Sequence, residues 1–352
     1  MNENKKLTIR MLSAATSVDG QGVGSAYLEQ VALVREQEDL FEVLINKEQR
    51  RRKADIYHVH TVNPYAVLQM KKKRCSVIYV HFLPDTLDGS LKMPRLFMWF
   101  FKKYVVHYYR KAKEVVVVNP VFIEPLVELG IKRENITYIP NFVDHEKFHT
   151  LTKEEIDAAK DKFGIPKDKF VITGCGQVQT RKGVLDFIEC AKRNPDLCFI
   201  WAGGFSFGRI TDGYNELKQV MENPPANVKF LGIVPRDEMN LVFNCADMLF
   251  MPSFAELFPM SILEAVNSHK PVLLRDIDIY PIILFDDYAK AKDIDGFDAE
   301  IKRLATDKAY YEEYAKKAEH ISTFYSKEYV ANQWREYYPR VYQKFLDSQK
   351  KK

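Results

Sequence analysis

Apolar residues in this chain come in short continuous runs. In the first half the runs fall at 7–12 (LTIRML), 40–45 (LFEVLI), 54–60 (ADIYHVH), 76–81 (SVIYVH), 114–118 (EVVVV) and 136–140 (ITYIP). In the second half they fall at 170–174 (FVITG), 197–202 (LCFIWA), 227–231 (NVKFL), 247–251 (DMLFM) and 271–274 (PVLL). Strict alternation of apolar and polar positions would mark strands with one wet face. Its absence, with Val, Ile and Phe dominant, marks strands buried on both faces, as in a parallel sheet between helices. Stretches long enough for helices separate the runs. The pattern therefore predicts an α/β chain of two Rossmann-like, doubly wound domains. The expected division is 1–165, then 166–325, with the charged helical stretch from Lys153 to Lys162 and the sequence FGIPKDK marking the seam. The segment 326–352 reads as an aromatic-rich helix, bent or interrupted at Pro339, that packs back on the first domain.

A length of 352 residues suits two domains. The five cysteines, Cys75, Cys175, Cys190, Cys198 and Cys245, are odd in number and lack C-x-x-C spacing. They predict reduced thiols, with neither a disulfide framework nor a zinc site. The opening MNENKKLTIRML lacks the pattern of a signal peptide. The longest apolar runs, such as Leu96 to Phe101, fall far short of the roughly 20 residues that a membrane span needs. The expected location is cytoplasmic. Charge changes the picture more. The net +4 divides into +6 for residues 1–150 and −2 for the rest. A basic first half points to an anionic partner.

Three strand-to-helix junctions carry candidate chemistry. Gly20-Gln21-Gly22-Val23-Gly24 follows the first strand and leads into a helix. Glycines let backbone N–H groups approach a phosphate, and the helix start adds positive potential. A plain flexible turn explains the same glycines. The second junction, Gly174-Cys175-Gly176-Gln177-Val178-Gln179-Thr180-Arg181-Lys182-Gly183, adds two cations. Lys182 there can neutralise a leaving diphosphate; a solvated basic loop is the plainer reading. The third runs from Glu256 to Glu264. Its carboxylates can accept hydrogen bonds from sugar or ribose hydroxyls, and the N–H groups of Leu257, Phe258 and Met260 can meet sugar or phosphate oxygens. Acids at a helix start are also an ordinary dipole effect.

The E-x7-E spacing of Glu256 and Glu264, the segment Ile139-Pro140-Asn141-Phe142-Val143-Asp144 and the loop G-Q-V-Q-T-R-K-G resemble the retaining glycosyltransferases of family 4. The order and spacing of these elements agree over nearly the whole chain. The resemblance implies the GT-B fold, with two domains facing each other across a cleft. It implies a UDP-sugar as donor, no cofactor and no metal. Glu264 would bind the ribose, Glu256 the transferred sugar, and Lys182 the diphosphate, with Gln177, Arg181, Phe258 and Met260 around them. Gly22 and Gly24 would lie beside the diphosphate and the acceptor. His81, in Tyr79-Val80-His81-Phe82, matches the family's histidine near the transferred sugar. Two departures stand out. Gln177 replaces the family's arginine, leaving Arg181 as the substitute cation, and Pro259 stands where relatives carry glycine and removes an N–H donor. The family transfers by front-face displacement, so no protein nucleophile is required. Short acidic pairs such as Asp276/Asp278 and Asp286/Asp287 are common by chance, and since the resemblance implies no metal they are not read as metal ligands.

Segment 89–113, GSLKMPRLFMWFFKKYVVHYYRKAK, holds seven Lys/Arg and no Asp/Glu. Lys92, Arg95, Lys102, Lys103, Arg110 and Lys111 are interleaved with Phe97, Trp99, Phe100 and Tyr104. A helix of this composition suits the interface of an anionic membrane. A buried helix with a basic solvent side fits the same residues. The run also suits single-stranded nucleic acid, but that reading leaves Glu256, Glu264 and Asn141 to Asp144 unexplained. Within the family, the first glycine run and the G-Q-V-Q-x-R-K-G loop are most similar to glycolipid synthases that add a second sugar to monoglucosyl-diacylglycerol. The expectation is a peripheral enzyme on the inner face of the cell membrane that takes galactose, rather than glucose, from a UDP-sugar. A soluble enzyme acting on polysaccharide or protein is the alternative.

Overall fold

The computed structural model describes residues 6–14, 22–49, 51–62, 64–87, 95–205, 208, 211–258 and 260–350. Two compact units emerge. Described residues up to 142 and from 327 onward form the first, and 143–326 form the second.

In the first unit the chain runs β1 (Leu7–Leu12), α1 (Gly22–Arg35), β2 (Phe41–Ile45), β3 (Ile56–Val59), α2 (Pro64–Gln69), β4 (Cys75–Val80), α3 (Arg95–Lys111), β5 (Glu114–Val117), α4 (Ile123–Glu128) and β6 (Ile136–Tyr138). The strands pair in parallel in the order β2-β1-β3-β4-β5-β6. Every residue of β1, β3, β4 and β5 is buried, which is what continuous apolar runs require of a sheet covered on both faces.

The second unit holds α5 (Lys153–Phe163), β7 (Val171–Cys175), α6 (Val184–Arg193), β8 (Cys198–Ala202), α7 (Tyr214–Glu222), β9 (Val228–Gly232), α8 (Met239–Cys245), β10 (Met248–Met251), α9 (Met260–Asn267), β11 (Val272–Arg275), α10 (Ile279–Leu284), β12 (Ala289–Ala291), α11 (Ile294–Thr306) and α12 (Lys308–Phe324). Its parallel order is β12-β11-β10-β7-β8-β9. Phe187, Phe199, Trp201, Phe250 and Phe297 fill its core.

All eleven anticipated strands are present, with ends shifted by one or two residues. A twelfth, β12, was missed because its sequence is only Ala-Lys-Ala. The last helix, α13 (Lys327–Lys350), runs through Pro339 without a break. Buried Val330, Trp334, Tyr337, Tyr338 and Val341 hold it in place, and this packing outweighs the lost backbone bond. The seam falls at 142/143, where the strand pattern put it at 165. The intervening chain is tied to α8: Asn240 Oδ1 accepts from His149 N at 3.2 Å, and Asn244 Oδ1 from Leu151 N at 2.9 Å. All five cysteines are buried and free. No described helix is long and apolar enough to cross a membrane.

Candidate active site

Open parallel sheets bind ligands beyond the carboxyl ends of their strands, where the strand order reverses. In the second unit that point lies between β7 and β10. The loop after β7 makes a 3-10 turn at Thr180–Lys182 and passes through left-handed Gly183 into α6. A Cβ on Gly183 would lie 2.2 Å from the Pro252 carbonyl oxygen. Glycine therefore lets this loop rest directly on the backbone of the loop after β10. Phe254 N donates to Arg181 O at 2.8 Å, and the Arg181 guanidinium bonds Ala255 O. Two strand-end loops, far apart in sequence, thus become one surface.

Lys182 and Glu256 meet on that surface. Lys182 Nζ lies 2.6 Å from Glu256 Oε1, and Arg181 lies 3.8 Å from the other carboxylate oxygen. The Glu256 side chain is only 5% exposed. Burial alone would push its carboxyl up, but the Lys182 and Arg181 charges outweigh burial and hold it below the usual carboxylate range. Glu264, on the buried side of α9, pairs with Arg236 from the turn before α8. Both carboxylates are thus matched to cations. Gln177 Oε1 accepts from Gln179 Nε2 at 3.4 Å. Phe258 and Met260 have buried side chains, and Phe258 packs edge-on against Tyr325. The Cys175 thiol, pushed up to about 12 chiefly by burial and further by Glu264, is no nucleophile.

Sequence reasoning missed Arg236 and Arg275. Each is a lone arginine without a motif; only the contact with Glu264 and Pro252 respectively reveals it.

In the first unit the order reverses between β1 and β3. Gly20 and Gln21 lie outside the described residues. Gly22 begins α1, and Gly24 is buried in its first turn. His81 follows β4 and is buried. It joins His58 and His60, which the sequence reading did not single out. Ring centroids are 4.4 Å apart for His58 and His60, and 5.9 Å for His60 and His81. The spacing of His58 and His60 along one strand, two residues apart, was the available signal. His58 Nδ1 meets the Tyr338 hydroxyl at 2.8 Å. Burial, with the mutual charge repulsion of the rings, lowers His58 to about 3 and His60 well below its usual value; burial alone lowers His81 to about 4.

On α3, Leu96, Phe97, Trp99 and Phe100 are more than half exposed, while Val105, Tyr108 and Tyr109 dock the other half of the helix. Lys103 lies over Trp99, 5.7 Å from its ring centroid. Lys102 is paired with Asp85 at 3.0 Å, and Arg110 donates to Leu129 O at 2.5 Å, so both are engaged within the unit. Tyr104 is half-buried and Lys111 exposed. Lys92 and the Arg95 side chain lie outside the described structure, as do Pro94 and Pro259. Asp276, Asp286 and Asp287 pair with Lys292, Lys290 and His320. The described residues contain no group of three or more potential metal ligands.

Each unit is thus an open parallel sheet with one switch point, between β1 and β3 in the first and between β7 and β10 in the second. The match to known proteins agrees. Residues 39–147 match the model for Glycosyltransferase Family 4, and residues 155–321 the model for Glycosyl transferases group 1. The chain belongs to the GT-B glycosyltransferases and is a hexosyltransferase. Within them it falls among the glycolipid enzymes of diacylglycerol glycosylation. It is 44% identical over 341 residues to the alpha-galactosylglucosyldiacylglycerol synthase of Streptococcus pneumoniae, covering 96% of this chain and 91% of that one. It is 27% identical to the processive diacylglycerol alpha-glucosyltransferase of Acholeplasma laidlawii, over 66% of this chain and 68% of the relative. Among solved structures, the sucrose-phosphate synthase of Thermosynechococcus elongatus aligns with a TM-score of 0.77 at 14% identity, over 96% of this chain and all of that one. Anabaena HepE, crystallised with UDP and glucose, aligns at 0.73 and 16%, over 94% of this chain and 98% of that one. At those identities the structures speak for the fold alone.

Proposed function

We propose that the chain transfers a hexose, galactose in preference to glucose, from a UDP-sugar to a membrane glycolipid such as monoglucosyl-diacylglycerol, with retention of configuration. The Lys182–Glu256 pair at the β7/β10 switch point carries the reading. On donor binding Lys182 turns from Glu256 to the diphosphate and stabilises its developing charge. Glu256, released, takes hydroxyls of the transferred sugar. Glu264, held by Arg236, takes the ribose hydroxyls. Arg181 has a buried Nε without a partner, and it supplies the cation that Gln177 does not. His81 stays neutral and accepts or donates one hydrogen bond to the sugar. The bond from the anomeric carbon to the phosphate oxygen breaks, and a bond to the acceptor oxygen forms on the same face. The acceptor's proton passes to the leaving phosphate. Positioning and electrostatics supply the rate, and no metal enters.

The strong similarity to a synthase whose name states a glycolipid product supports the acceptor class. The apolar tip of α3 supports peripheral attachment: four exposed large side chains with Lys103 over the Trp99 ring fit a headgroup layer. Each cation adds about 1 kcal/mol near an anionic surface.

The test mixes the protein with UDP-galactose or UDP-glucose and vesicles of monoglucosyl-diacylglycerol and an anionic lipid, and reads lipid mass. One added hexose with UDP-galactose alone is expected. Product with UDP-glucose alone would reverse the donor assignment, and no lipid product despite UDP-sugar binding would move the acceptor to a polysaccharide or protein. In the same vesicles, replacing Trp99 and Phe100 together by serine should weaken binding about tenfold or more. Unchanged partitioning would remove α3 from the membrane contact.

A further inference from the structure

We infer that Arg275 is a positioning residue for the transfer site, fixing the loop that carries Glu256 and tying it to the helix that follows Lys182. The inference rests on the proposed reading of Lys182 and Glu256 as donor-binding groups. Arg275 ends β11, and its side chain is 10% exposed. Nε donates to Pro252 O at 2.9 Å and Nη1 to Lys292 O at 2.7 Å. Nη2 pairs with Asp186 in the first turn of α6. The guanidinium carbon lies 4.0 Å from the Phe254 ring centroid and 5.0 Å from that of Phe297.

These contacts bracket the site without entering it. Pro252 and Phe254 lie just ahead of Glu256, and Asp186 lies just past Lys182. The loop has no regular structure of its own here, and Phe254 is 51% exposed. The bonds to Arg181 hold the loop from the α6 side at Phe254 and Ala255, and Arg275 holds it from the β11 side at Pro252 and the Phe254 ring. A planar fork of five donors can hold two carbonyls and a carboxylate while stacking on a ring, and an ammonium cannot. Misplacement by about 1 Å is enough to cost on the order of 10² in rate.

Arg275→Lys keeps the charge and loses the fork. Amide exchange across residues 252–258 should rise tenfold or more, with the rest of the second unit unchanged. Turnover at saturating UDP-sugar should fall tenfold or more, while UDP affinity stays within threefold. Asp186→Asn should repeat the pattern at smaller size. Unchanged exchange in 252–258 would overturn the inference. So would a joint fall of melting temperature, UDP affinity and turnover, which would make Arg275 a general strut of the unit. Faster loop exchange in Arg275→Lys, with a parent protein that transfers no hexose, would leave the loop-holding role standing and sink the donor reading instead.

Discussion

The two units place opposite chemistries beyond the ends of similar sheets. The second gathers charges and neutralises them in place: Lys182 with Glu256, Arg236 with Glu264, Arg275 with Asp186. The first gathers His58, His60 and His81 and keeps them uncharged by burial. Both solve the problem of polar groups away from water, one with counter-ions and the other by neutralisation. The difference teaches how each unit keeps polar groups inside: the second buries charges together with their counter-ions, and the first packs uncharged imidazoles among Tyr79, Trp334 and Tyr338.

The sharpest way to break the comparison is acid. A histidine whose folded value is lowered is neutral in the fold and takes up a proton on unfolding. Its contribution is complete above about pH 6.5 and is lost as pH falls toward the folded value, at about 1.4 kcal/mol per pH unit for each ring. Glu256, also lowered, follows the same sign but begins to lose its contribution only near its unfolded value of about 4.3. Hydrogen exchange should therefore show the first unit opening between pH 6.5 and 4 while the second holds. Simultaneous opening of both would break the contrast. Next in size, Lys182→Ala should lower turnover roughly 10²-fold. Near-normal transfer in a product assay would remove Lys182 from the mechanism. Smallest, Glu264→Ala should weaken UDP-sugar binding about tenfold, the scale of one lost hydrogen bond to a charged group. Calorimetry showing parent affinity would end the ribose role.

Much of the fold was legible because a parallel strand covered on both faces must be apolar throughout. Only β12 escaped, being three residues long. The candidate site was legible in pieces. Lys182, Glu256 and Glu264 stood out by local spacing, and His81 by resemblance. His58 and His60 were overlooked because alternation along a strand reads equally well as core. Arg236 and Arg275 gave no local signal at all.

The sequence by itself determined the strands, the helices and the loops that carry candidate chemistry, because backbone preference and apolar runs act over a few residues. Tertiary structure decided which charge meets which. Lys182 and Glu256 are 74 residues apart, and Arg275 and Asp186 are 89 apart. It also decided which histidines lose their proton and how α13 rides through Pro339. Counter-ion choice, desolvation and packing depend on neighbours that only folding brings together.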